Sequence, residues 1–243
     1  MCGRYFQQRS SGEMARHVGI GGAIPNLPPS FNRAPTRGGL VMRRHPETGA
    51  RHLDALRWGL VPRWAKDASG AARMINARSE SVADKPAFRE AFRKRRGIAL
   101  ADGFYEWQQT GAKGAKQPFA VAMADGAPMP LAALWEGWRA PDGTILRTFT
   151  ILTTEAAPEL AVLHDRMPVI LPAEAWDAWL GDAPADDAAL LALLKPCPRR
   201  RLAVWPVGTR VGRVAEDDAG LIERDPLAQP PPGLDDPPPR INA

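Results

Sequence analysis

Gly97-Ile98-Ala99-Leu100-Ala101-Asp102-Gly103-Phe104-Tyr105-Glu106-Trp107 reads as a helix terminator, Gly97, followed by one strand over Ile98–Trp107. Three further strand-like runs follow near 118–124, 131–138 and 145–154, the last two separated by the turn signal Pro141-Asp142-Gly143. Thr110–Gln117, rich in Gly and Lys, is expected to be a flexible hairpin tip. Strands in such succession form meanders rather than alternating βαβ units. The fold class that follows is α+β: a single domain with an antiparallel, barrel-like β core flanked by short helices.

Upstream, a short strand is predicted over 2–6 and a helix over Ser11–Val18, where Ser10 and Glu13 have capping-box spacing and Gly19 supplies a stop. Gly21 to Arg37 is rich in Gly and Pro and reads as loop, and 39–45 with 51–60 as a hairpin across Pro46-Glu47-Thr48-Gly49. Lys85–Arg96 reads as a helix with Asp84 as N-cap and a basic last turn, which suits a helix C-terminus as well as it suits DNA. Downstream come a short helix near Pro158–Leu163, a strand through Leu171, helices at 173–180 and 186–194, and a last strand at 202–207. From Asp225 the chain is Pro-rich, so the expected organisation is one domain over 2–224 and a disordered tail over 225–243.

The 243 residues are ample for a sizeable core, with 44% hydrophobic and 24% charged residues. A net charge of +5 favours an anionic partner. The two cysteines, Cys2 and Cys197, give no disulfide framework, no Cys/His spacing resembles a zinc site, and no Gly-rich phosphate loop follows a strand. No apolar leader and no run of membrane-spanning length is present, so a cytoplasmic protein without a membrane partner is expected.

Four polar residues sit where a structural account is thin. Removal of Met1 ahead of the small Cys2 would leave a thiol and a free α-amine on one carbon, both with reactive fractions near neutrality. Such a 1,2-aminothiol captures an aldehyde as an imine and then as a thiazolidine ring. Asn76 lies between Ile75 and Ala77-Arg78, and His164 opens His164-Asp165-Arg166-Met167-Pro168. Glu106 is enclosed by Phe104, Tyr105 and Trp107, a setting in which a carboxyl shuttles protons near neutral pH. Taken singly, each has a bland reading that wins: a small buried hydrophobe, a turn cap, an arginine partner and a core imidazole.

The ordered set of motifs is more specific. Met1-Cys2-Gly3-Arg4-Tyr5, Asn32-Arg33-Ala34-Pro35-Thr36, Arg57-Trp58-Gly59-Leu60-Val61-Pro62, Asn76-Ala77-Arg78-Ser79-Glu80, Gly103-Phe104-Tyr105-Glu106-Trp107, Thr153-Thr154 and His164-Asp165-Arg166-Met167-Pro168 occur in this order. With them the chain resembles the SRAP (SOS-response-associated peptidase) family over about residues 2–210. The resemblance implies that Cys2 links covalently to the aldehyde of an abasic site in single-stranded DNA and shields it, with no cofactor and no metal. It implies that Asn76 positions the Cys2 amine or stabilises the intermediate, Glu106 transfers protons and His164 opens the sugar ring. Self-processing of the N-terminus, peptidase and lyase activities are implied too. Arg4, Arg78 and Arg166 would contact phosphates. Asn32, Pro35, Trp58, Trp64, Trp107 and Thr153 would complete a groove in which bases stack.

The strongest rival is an N-terminal-nucleophile hydrolase of the glutamine amidotransferase type, whose chains also begin Met-Cys-Gly. Trp58–Pro62 and His164–Pro168 have no place in that scheme. A non-catalytic reader of single-stranded or modified DNA, with Cys2 merely structural, is the second rival, and a protease acting on other proteins a third. Protein partners and oligomeric state are not legible.

Overall fold

The computed structural model describes residues 2–111, 114 and 116–240. Its elements in chain order are β1 (Tyr5–Gln7), α1 (Ser11–His17), β2 (Ser30–Arg33), β3 (Gly38–Arg44), β4 (Arg51–Trp58) and β5 (Asn76–Arg78). Then follow α2 (Arg89–Lys94), β6 (Arg96–Ala101), β7 (Gly103–Gln109), β8 (Lys116–Met123), β9 (Met129–Arg139) and β10 (Ile145–Glu155). The last are β11 (Arg166–Pro168), α3 (Trp176–Leu180), α4 (Asp187–Ala192) and β12 (Leu202–Pro206), with 3-10 turns between them.

Two sheets carry these strands. One has five in the order β12-β8-β7-β1-β2, all antiparallel. In the other, β3, β4, β10, β9 and β6 pair in a ring that closes on itself, and β5 and β11 attach to β10. The α+β class with a barrel-like core is what the structure shows, although β4 and β5 run parallel to β10.

The decisive stretch is two strands rather than one. β6 belongs to the closed sheet and β7 to the open one, and the chain crosses between them at Asp102-Gly103. Two interactions force the crossing. The buried Asp102 carboxylate accepts from the Gln8 and Arg9 amides at 2.7 and 2.9 Å and pairs with the Arg9 guanidinium, so it is satisfied only where the chain leaves the β6 ladder. A Cβ on Gly103 would stand 2.3 Å from the Phe6 ring and 2.4 Å from the Val121 carbonyl, so only glycine lets β7 pack this closely.

Period-two alternation then sorts the side chains. Along β6, Ala99 and Ala101 face a cluster shared with Tyr5, Phe104 and Phe119 of the five-stranded sheet. Ile98 and Leu100 face a second cluster with Met14, Phe92 and Trp179 under the helices. The outer face of the five-stranded sheet buries Phe6, Tyr105 and Trp205 under the segment carrying Val211 and Leu221.

Several expectations are corrected. β1 begins at Tyr5, and the Gly/Pro-rich loop contains β2, which pairs with β1. α1 has the predicted capping box, but α2 is shorter than predicted and starts after Phe88 without a side-chain cap, Asp84 lying outside it. The turn over 158–160 is 3-10 rather than α-helical. The tip expected at Thr110–Gln117 lies partly outside the described residues. The Pro-rich tail is docked as far as Asp236: Asp236 exchanges two hydrogen bonds with Val204 of the edge strand β12 and accepts from Arg199, and Leu234 is buried at 1% exposure in the main core. The composition concealed this because one apolar residue and one capping carboxylate suffice to tie the segment down. Among the described residues no helix is long and apolar enough to cross a membrane.

Leu234→Ala should therefore destabilise the protein by about 2–4 kcal/mol, as removal of a buried leucine does. Chemical denaturation measures this, and an unchanged midpoint would mean that the tail does not contribute to the core.

Candidate active site

The site forms where the closed sheet meets the start of the chain. Strand β10 holds β5 on one side, with Ile151 opposite Asn76 and Thr153 opposite Arg78. On the other side it holds β11, with Glu155 opposite Arg166. From the five-stranded sheet, β1 pairs with β7 with Tyr5 opposite Phe104, and the Tyr105 amide donates to the Arg4 carbonyl at 2.9 Å. Carried one step further, that antiparallel register sets Glu106 beside the residues that precede Arg4.

Cys2 is fully buried in the apolar cluster that includes Tyr5, Trp58 and Phe104. The Asn76 side-chain amide donates to the Cys2 carbonyl at 2.8 Å. Because a carbonyl only accepts, this bond fixes the amide's orientation: Nδ2 faces Cys2, and Oδ1 is buried with no hydrogen-bond partner among the described residues. The Cys2 thiol is pushed up to about 12, first by burial and then by the negative charge of Glu106. Glu106 and Cys2 are thus electrostatic neighbours, although they come from different parts of the sequence.

Glu106 is 5% exposed and lines a cavity with Phe104, Leu160, Leu163, His164, Arg166 and Met167. An adjoining cleft is lined by Glu106, Trp107, Lys116 and His164. His164 Nδ1 accepts from the Arg166 amide at 3.0 Å and lies 2.6 Å from the Asp165 carboxylate. Under the first contact Nε2 is the ring nitrogen left to donate.

Arg166 is fixed rather than free. Its two terminal nitrogens donate to the two Glu80 oxygens at 2.7 and 2.9 Å, and one also reaches the Thr153 carbonyl at 2.6 Å. The hydrogen bonds from Arg166 in turn hold the Glu80 carboxyl below the usual carboxylate range. Glu80 was visible in the sequence inside Asn76–Glu80 but had no assigned role, because the pairing bridges 86 positions.

The structure brings Cys2, Asn76, Glu106 and His164 together, with Arg166 beside them. It does not treat the groove residues alike. Trp58 is completely buried, its ring stacked on Phe149 and its indole N–H bonded to the Ile75 carbonyl, so it packs the core and offers no face to a base. Arg4 and Asn32 are buried too. Arg4 donates to Asn32 Oδ1 at 2.5 Å and to the Val211 carbonyl, while Asn32 Nδ2 reaches the carbonyls of Val211, Arg213 and Glu216. That node anchors the 211–216 segment instead of facing solvent. Thr153 is likewise buried and acts through its carbonyl. Trp64 is 67% exposed and Arg78 is exposed, while Pro35 and Trp107 are half-buried. Among the described residues, no group of three or more His, Cys, Asp or Glu side chains could hold a metal ion.

Residues 1–214 match the family model described as SOS response associated peptidase (SRAP). The chain is 34% identical over 225 residues to the abasic site processing protein YoqW of Bacillus subtilis, covering 92% of this chain and 99% of that one. It is 31% identical over 229 residues to the abasic site processing protein YedK of Escherichia coli, with 92% and 99% covered. To the abasic site processing protein HMCES of Gallus gallus it is 32% identical over 219 residues, with 78% and 64% covered. Among solved structures, a Bordetella bronchiseptica protein superposes with a TM-score of 0.72 at 29% identity, covering 85% of this chain and all of that one. A Bacteroides thetaiotaomicron protein gives 0.82 at 22% identity, covering 92% of this chain and all of that one, which is a likeness of fold alone.

The buried thiol has a consequence at high pH. An unfolded thiol ionises near 9, whereas the folded one holds its proton to about 12. Between those values the unfolded chain binds fewer protons than the folded one, so stability falls as pH rises through the window. Urea midpoints of the parent chain should fall more steeply between about pH 9 and 10.5 than those of Cys2→Ala; equal slopes would show that the fold does not hold the thiol protonated.

Proposed function

The chain belongs to the SOS response associated peptidase (SRAP) family, and on that premise we propose that it processes abasic sites in single-stranded DNA by forming a covalent crosslink through Cys2. Abasic-site processing is the role its relatives are named for. The observation that supports the finer reading is the convergence of Asn76 on the Cys2 carbonyl and of Glu106 on the Cys2 thiol, with His164 in the same cavity as Glu106.

The reaction is proposed to run as follows. Hydrolysis of the Met1–Cys2 peptide bond frees the α-amine. His164, as general acid, protonates the ring oxygen of the closed abasic sugar while the C1′ hydroxyl gives its proton to water, and the ring opens to the C1′ aldehyde. The amine attacks C1′ to give a carbinolamine. Glu106, having taken a proton from the α-ammonium as the amine was freed, returns it to the departing hydroxyl, so one water leaves and a protonated imine remains. The thiol then adds to C1′, forming the C–S bond while its proton passes to the nitrogen. Amine, thiol and aldehyde have become a thiazolidine and one water. The unpartnered Asn76 Oδ1 would accept from the Cys2 amine and orient it toward C1′.

The self-processing and lyase activities implied by the resemblance would use the same groups, Glu106 as the base and the Cys2 amine as the Schiff-base former. In this reading Arg78, Trp64 and Trp107 serve the strand. Arg166 reaches a phosphate only by exchanging it for Glu80.

Mixing the protein with single-stranded DNA that carries uracil, treated with uracil glycosylase, should give a heat-stable band whose mass is that of the chain without Met1 plus the DNA, less one water. Cys2→Ala should abolish it. Glu106→Gln should slow its formation by about 10²–10⁴-fold, the range for loss of a general acid–base. DNA binding without any covalent species, in protein whose Met1 has been shown to be removed, would overturn the crosslinking reading and leave a non-catalytic reader.

A further inference from the structure

Away from Glu106 and His164, and sharing no lining residue with their cavities, lies a cleft of about 530 Å³. It opens between the β3–β4 hairpin, the C-terminus of α2 and the middle of β9, and Arg44, His45, Arg63, Lys94, Arg95 and Arg96 line it, with no carboxylate among the lining residues. We propose that this cleft is a second phosphate site, which grips the backbone of the single-stranded DNA at a distance from the reacting nucleotide.

Not all of these cations are equivalent. Arg44 pairs with Asp182 at 3.0 Å and Arg95 with Glu136 at 2.8 Å. Arg96 donates to the carbonyls of Phe92, Arg93 and Trp179, closing the end of α2, so it shapes the wall. Lys94 is exposed and has no ion-pair partner among the described residues, and Arg63 is exposed and reaches Glu90 only at 3.7 Å. These two are the charges left for a ligand. His45 adds a ring N–H donor. Its Nδ1 accepts from the Glu47 and Thr48 amides, which leaves the ring proton on Nε2.

A second feature points to a strand rather than to a free anion. The residue after Arg63 is Trp64, whose ring is 67% exposed in a chain that buries most of its large hydrophobic side chains. An exposed aromatic next in sequence to a cleft-lining arginine suits a single strand, whose bases stack on such rings while its phosphates meet the cations. The cleft has this character whatever chemistry occurs at Cys2, but its assignment to a DNA strand rests on the abasic-site reading.

The test uses the full chain carrying Lys94→Gln and Arg63→Gln. Both positions are exposed, and an unchanged thermal melt controls for folding. Binding is measured by fluorescence anisotropy over a salt series, with undamaged single strands of about 6 and about 30 nucleotides. For the long strand, affinity should fall roughly tenfold, and the slope of log K against log salt should become shallower by about 1.4, at about 0.7 per phosphate contact on a single strand. Affinity for the short strand, and crosslink yield on a short strand with a central abasic site, should not change. The charge-preserving pair Lys94→Arg and Arg63→Lys should restore the long-strand affinity.

Unchanged long-strand affinity and slope would overturn the proposal, and so would equal losses on both lengths. A mononucleotide that binds the parent chain and is lost equally in the variant would overturn it in favour of a free-phosphate pocket. If the parent chain forms no crosslink and yet the length-dependent loss is seen, the second phosphate site stands and the covalent reading falls.

Discussion

The hydrogen bond from Asn76 to the Cys2 carbonyl fixes where the chain begins, and the candidate site depends on that. A segment this close to a terminus normally frays. Here two sheets hold it. Pairing of β1 with β2 and β7 sets its direction, and the contact from β5, itself seated on β10 of the closed sheet, sets its depth. Cys2 is fully buried as a result, and its thiol feels both the missing water and the Glu106 charge. The crossing at Asp102-Gly103 serves the same end, because it carries the chain out of the closed sheet so that Glu106 can lie beside the terminus.

The arginines divide by what satisfies them. Arg4 and Arg33 are buried on carbonyls and one amide oxygen, so their charge locks the 28–38 and 211–216 segments to the sheet edge. Arg166 is half-buried and held by a carboxylate and a carbonyl beside the reactive cavity. Arg78, Arg63 and Lys94 remain in solvent. A positively charged chain does not present all of its charge to a ligand, and the internal bonds identify which part it withholds.

The candidate residues were more legible in the sequence than their placement. Cys2, Asn76, Glu106 and His164 each had a bland reading when taken singly and stood out only as parts of an ordered set of motifs, and the fold brings them together. The β-rich class could be read from successive alternating strands. The split of Ile98–Trp107 could not, because Ala101-Asp102-Gly103 breaks the ladder only through contacts with Phe6, Gln8 and Arg9, almost a hundred residues earlier. Trp58 and Asn32 failed as groove residues for a related reason. A tryptophan beside Arg57 and an asparagine beside Arg33 look like binding residues in one dimension. In three, Trp58 lies between Tyr5 and Phe149, and Asn32 is consumed by a segment 179 to 184 positions away. The docked tail is a case of the same kind, since its partners lie in β12 and in the turn before it.

A protonated thiol does not count against a role for Cys2, because in the proposed reaction it orders the steps. A thiolate adds to an aldehyde readily and reversibly, giving a hemithioacetal that leads nowhere. A thiol held neutral by burial and by Glu106 leaves the first bond to the amine. Once the imine is protonated, a cation lies on the atom next to the Cα that bears the thiol side chain. Its charge opposes that of Glu106 and favours ionisation of the sulfur at the moment when C–S bond formation needs it. The desolvation that keeps the thiol inert at rest strengthens this attraction, since opposite charges interact more strongly where water is excluded. In that reaction burial therefore suppresses the wrong first step and promotes the right last one, which is a reason for the fold to hold Cys2 inside.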